Sequence, residues 1–122
     1  MSLKIKRIYE PYAASDGWRV LVDRVWARGI SKEEAHLDAW TKDLAPSTAL
    51  RKWFGHIPEK FVEFADRYQS ELDNNPEIQE TIQELLAKSA ENQVTLVYSA
   101  KDTEHNQAVV LRDYLQEKAS AR

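Results

Sequence analysis

The chain has 122 residues, with 17 Lys and Arg against 20 Asp and Glu, a formal net charge of −3 at pH 7 and no cysteine. That length suits one domain (1–122) with one core, and 43% hydrophobic and 30% charged residues belong to the globular class rather than the disordered one. Without a thiol there are no disulfides, thiolate nucleophiles or Cys-based metal sites, and the slightly acidic balance exerts no long-range pull on nucleic acid or acidic lipid.

LKIKRIY (3–9) alternates apolar and basic residues and predicts a half-exposed first strand. The preceding start has no apolar signal-peptide core and no run reaches membrane-spanning length, so a cytoplasmic protein without a membrane partner is expected. EPYAASDG (10–17), punctuated by Pro11 and Gly17, reads as a loop. WRVLVDRVW (18–26) is β-branched and apolar enough for a buried strand of a parallel sheet. Ser31 and Glu34 match the capping box and start a short helix after Gly29. Ser47 caps a helix from 48 to 54, which Gly55 and Pro58 end. In 58–73, Phe61, Phe64, Ala65, Tyr68 and Leu72 share one helical face. Asn74-Asn75-Pro76 breaks that helix, and 76–92 resumes with the stripe Ile78, Ile82, Leu85 and Leu86. VTLVYS (94–99) is the clearest buried strand, 100–106 a loop, and 107–119 a closing amphipathic helix. The expected fold is α/β: a small, mostly parallel sheet flanked by helices, with three readable strands and room for a short fourth.

In open α/β sheets, ligands sit beyond the carboxyl ends of the strands. Strand 18–26 delivers Asp23, Arg24 and Arg28 there, and strand 94–99 delivers Tyr98, Ser99, Lys101 and Asp102. Helix 48–54 would bring Arg51 beside them. Arginine forks pair bidentately with carboxylate or phosphate, so a cationic rim on an acidic protein points to a small anionic ligand. Asp23 and Tyr98 are the acid–base candidates; Arg24, Arg28, Arg51 and Lys101 are the candidate anion holders. The plainer alternative makes Asp23–Arg24 and Arg51–Asp102 internal ion pairs. Trp26, Trp40 and Trp53 are expected in core or wall, and Lys4, Lys6 and Arg7 on the solvated face of an edge strand. The three histidines lack the i, i+4 spacing of a metal pair, and no phosphate-loop, dinucleotide or serine-hydrolase signature is present, so neither metal nor cofactor is expected.

KRIYEP, DGWRVLVDRVWARG, LDAWTKDLAPSTALRKWFGH, the run from Phe61 to Leu72, and VTLVYSAKDTEHNQAVVL together resemble the YeaO-like branch of the domain-of-unknown-function 488 family. The resemblance spans Lys4 to about Leu115. It implies recurring polar positions that include Arg7, Asp16, Arg19, Asp23, Arg24, Arg28, Lys42, Ser47, Arg51, Tyr98, Lys101 and Asn106, and on that ground Lys42, Ser47 and Asn106 join the candidate ligand-binding residues. The branch resembles W-P-R-G where this chain has Trp26-Ala27-Arg28-Gly29, which opens a question about the shape of that loop. The wider family resembles Cys at 98, Glu at 100 and Cys-His-Arg at 106–108. Here those places hold Tyr98, Ala100, Asn106, Gln107 and Ala108, so thiol chemistry does not transfer.

Three functional expectations compete. One is an enzyme or binding protein for a phosphorylated or carboxylated small molecule. Another is a binding module for a nucleic acid or protein partner, supported by the basic first strand and the tryptophans but opposed by the acidic balance, so that nucleic acid is not the expected ligand. The last is purely structural ion pairing. The oligomeric state is not readable from the pattern.

Overall fold

The computed structural model describes residues 1–121. Its strands are β1 (Ser2–Arg7), β2 (Trp18–Leu21), β3 (Ala39–Trp40) and β4 (Gln93–Tyr98); its helices are α1 (Lys32–Ala35), α2 (Thr48–Phe54), α3 (Phe61–Asp73), α4 (Gln79–Glu91) and α5 (Gln107–Ser120). The strands form one sheet in the order β1-β4-β2-β3, and every pair is parallel. Leu96 at the middle of β4 faces Ile5 on one side and Val20 on the other.

The period of two along the strands separates two unequal cores. Val20, Val22, Val94, Leu96 and Tyr98 face the larger, which Leu50 and Phe54 of α2, Phe64, Tyr68 and Leu72 of α3, Ile82, Leu85 and Leu86 of α4, and Leu111 and Leu115 of α5 complete. Each such side chain taken from water contributes about 1.5–3 kcal/mol, so this face supplies most of the hydrophobic stabilisation. Leu21 and Val97 face the other way. They meet only Ile8, Ala27 and Ala35, with Trp26, Ile30, Leu37 and Trp40 at the margin. Loops and the one-turn α1 therefore cover that side.

Local signals account for most boundaries. Ser31 accepts from the Glu34 N–H and Glu34 returns the bond to the Ser31 N–H, the expected capping box. Ser47 caps α2 through the Leu50 N–H. Pro58 and Pro76 each open a 3-10 turn that leads into α3 and α4. Gly17 has φ +64, and a Cβ there would lie 2.2 Å from the Gln93 carbonyl oxygen, so only glycine lets the chain enter β2 against β4.

Two boundaries differ from expectation. The strand expected over 18–26 ends at Leu21, because after the Val22 N–H reaches the Val97 carbonyl the chain turns away from the ladder. The fourth strand is β3, only two residues long, which pairs Val20 with Ala39 and Leu21 with Trp40.

Candidate functional site

The segment 22–30 leaves the carboxyl end of β2 and is fastened by three hydrogen bonds. The Trp40 indole N–H donates to the Asp23 carbonyl at 2.6 Å, the Trp26 indole to the Ile30 carbonyl at 2.7 Å, and the Tyr9 hydroxyl to the Arg28 carbonyl at 2.8 Å. Ala27 is buried in the smaller core, while the Trp26 and Trp40 rings meet edge to face at 5.3 Å. These contacts hold the loop in shape with alanine at the place of the family's proline.

Along this loop lies a cavity of about 270 Å³. Arg24 and Arg28 come from the loop itself, Arg51 from α2, and Asp23 sits among them. Phe54, Phe64, Trp26, Val25 and Ala100 give the cavity an apolar side, and Tyr9, His56, Ser99 and Gln107 complete the polar one. The Arg24 guanidinium donates to the Ala45 carbonyl at 3.1 Å and to that of Pro46 at 3.4 Å. Neither Arg28 nor Arg51 has a carboxylate within ion-pair distance among the described residues.

Asp23 is 7% exposed. One carboxylate oxygen accepts from the Ser99 N–H at 3.0 Å and the Ser99 hydroxyl at 2.7 Å; the other accepts from the Gln107 side-chain amide. Burial pushes this carboxyl above its usual 3.8, with the Ser99 and Gln107 bonds and the Arg51 charge opposing the rise.

The alternative ion pairs are not formed among the described residues: Asp23 bonds to Ser99 and Gln107 rather than Arg24, and Asp102 bonds to His105 at 2.9 Å rather than Arg51. Of the sequence-derived site residues, Asp23, Arg24, Arg28 and Arg51 share the cavity, and Tyr98, Lys42, Ser47, Lys101 and Asn106 do not line it. Tyr98 packs into the larger core, and burial raises its phenol above 10.0, so it stays protonated near neutrality. Lys42 lies over the Trp40 ring at 4.4 Å. Ser47 is bound twice by Glu71, and its hydroxyl also caps α2. Asn106 caps α5 at the Val109 N–H and donates to the Asp102 carbonyl. Lys101 is exposed. Phe54, Phe64, Tyr9, His56 and Gln107 are cavity residues that the sequence reading missed. Gln107 had a signal, since the first residue of a helix that follows a strand's carboxyl end belongs at this rim.

A second charged cluster lies on the smaller-core side of the sheet. Asp16, fully buried, accepts from Arg19 at 2.6 Å, Lys6 at 3.0 Å and Lys4 at 3.1 Å, and from the Ala13 N–H at 3.1 Å. Burial alone would raise its carboxyl, but Lys6, the Ala13 N–H, Lys4 and Arg19 together hold it far below the usual range. Lys6, expected to be solvated, turns inward here with its side chain 15% exposed, whereas Lys4 reaches Asp16 with its side chain still 41% exposed.

The chain matches, over residues 2–122, the family described as "Inactive DUF488-N3 subclade". It belongs to the DUF488 family. Within the family's relatives, it is 41% identical to "Uncharacterized protein YeaO" of Escherichia coli (strain K12) over 94% of this chain and 97% of the relative. It is also 41% identical to "Uncharacterized protein Rv3073c" of Mycobacterium tuberculosis (strain H37Rv), over 93% of this chain and 92% of that one. No solved structure gives a significant match. No group of three or more metal-ligating side chains is gathered among the described residues of this DUF488 chain, and no helix in them is long and apolar enough to cross a membrane.

Proposed function

We propose that this DUF488 protein binds an anionic small molecule in the cavity beyond the carboxyl ends of β2 and β4, without chemical turnover. The observation that carries the reading is the pair Arg28 and Arg51, two guanidiniums at one cavity with no carboxylate partner among the described residues. Arg24 is already oriented by two backbone carbonyls, and the loop that bears Arg24 and Arg28 is fastened by Trp40, Trp26 and Tyr9. Arg24 and the loop backbone are thus set in advance, whereas the exposed Arg28 and Arg51 side chains are ordered only when a guest binds.

The absence of turnover is supported by the subclade's description as inactive and by the residues at the site. The positions where the wider family resembles Cys, Glu and Cys-His-Arg fall beside this cavity, and two of them, Ala100 and Gln107, line it. Neither side chain is a nucleophile or a proton carrier. Asp23 accepts from the Ser99 N–H and hydroxyl and the Gln107 amide, none of which is a titratable group near neutrality.

The test is thermal melting, followed by circular dichroism, of wild type and Arg51→Ala in low salt with phosphate, sulfate and simple carboxylates. A bound anion at a hundredfold excess over its Kd adds about 2.7 kcal/mol to wild-type stability. That gain should be absent in Arg51→Ala. Anions that stabilise neither protein, or both equally, would overturn the reading.

A further inference from the structure

Resting on the anion-binding reading, we propose that the guest is a zwitterion of the α-amino acid class, its carboxylate on Arg51 and Arg28, its ammonium on Asp23 and an apolar side chain against Phe54 and Phe64. Asp23 weakens the cavity for a purely anionic guest without closing it to one. Asp23 lies in its wall together with the arginines, and its three hydrogen-bond donors, the Ser99 N–H, the Ser99 hydroxyl and the Gln107 amide, are all uncharged. Phosphate or sulfate seated among the guanidiniums would face that carboxylate in a partly desolvated site, where like charges repel strongly. A guest with a positive group at that end turns the repulsion into attraction.

The acceptor count agrees. A carboxylate offers about four lone-pair positions. The Asp23 oxygen that serves Ser99 takes two bonds, whereas the one that serves Gln107 takes one, so one position stays open. A lone polar contact would also suit a hydroxyl, but only an ammonium answers the charge as well. Size points the same way. At about 270 Å³ the cavity falls just below the roughly 300–1,000 Å³ of pockets for drug-sized ligands, which suits a single amino acid and crowds a nucleotide. The stacked Phe54 and Phe64 rings, with centroids 4.2 Å apart, give the cavity a hydrophobic wall that inorganic anions leave unused.

Isothermal titration of the full chain decides it, with leucine and phenylalanine, their deaminated counterparts 4-methylpentanoate and 3-phenylpropionate, and inorganic phosphate as probes. The expected result is that at least one of the amino acids binds tenfold or more tightly than its deaminated counterpart and than phosphate. Asp23→Asn should remove that tenfold preference by weakening the amino acid alone. Arg51→Ala, altered at an exposed position, should weaken amino acid and counterpart together. If the deaminated acids or phosphate bind as well as the amino acids, the zwitterion is wrong and the anion site stands. If none of the five binds, both fall.

Discussion

Asp16 and Asp23 stand at the two ends of β2, both buried, yet their surroundings send their carboxyl groups in opposite directions. Asp16 meets Arg19, Lys6 and Lys4 and is held well below its usual range despite full burial. Asp23 meets only uncharged donors within hydrogen-bond distance, and burial raises it. At the first, three cations converge on one buried carboxylate and hold it ionised. At the second, arginines and carboxylate share one hollow without pairing. A buried carboxylate paired with its own cations serves the fold; one kept from pairing is available to a ligand.

The largest test of that contrast is Asp16→Ala. It strands the buried Arg19 beside Lys6 and should cost about 3–5 kcal/mol in urea unfolding, the usual penalty for breaking a buried pair. A loss below about 1 kcal/mol would show that the cluster is not structural.

Acid titration sharpens the comparison through opposite signs. Asp16, with a depressed folded value, contributes stability in full above its unfolded value near 3.8, and that contribution is lost as pH falls below it. Asp23, with a raised folded value, costs stability above that value and returns it as pH falls through it. Urea midpoints measured across this range should therefore fall less steeply for Asp16→Asn than for wild type, and more steeply for Asp23→Asn.

Ser47→Ala removes a helix cap and the hydroxyl bond to Glu71, so about 1 kcal/mol should be lost by denaturation while anion affinity stays unchanged. A fall in affinity would return Ser47 to the site. The smallest stability effect belongs to Arg51→Ala. This exposed residue, with no carboxylate partner among the described residues, should change unfolding by less than about 0.5 kcal/mol, yet abolish the shift produced by anions.

Local chemistry was readable without coordinates. Ser31, Ser47, Pro58 and Pro76 act within a few residues of themselves, and each marks the boundary its type implies. The stripe Ile78, Ile82, Leu85 and Leu86 is buried as its spacing requires. Long-range geometry was not readable. Val22 and Val25 look alike in WRVLVDRVW, but the first is fully buried and the second 55% exposed, because a tryptophan from β3 catches the backbone between them. β3 itself has too few residues to show an alternation. The meeting of Arg24, Arg28 and Arg51 followed from the rule that ligands gather at strand carboxyl ends, whereas the inward turn of Lys6 depends on how β1, β4 and β2 lie side by side.

Trp26 gives the protein a signal of its own. Its ring forms part of the cavity wall while its N–H is tied to the Ile30 carbonyl, so it sits at a fixed place where solvent would be displaced by an arriving molecule. The other indoles are placed differently: Trp18 lies beneath Lys88, Trp53 beneath Lys60 and Arg67, and Trp40 beneath Lys42. Filling the hollow should therefore alter the emission of one fluorophore in four, and occupancy can be followed optically without attaching a dye.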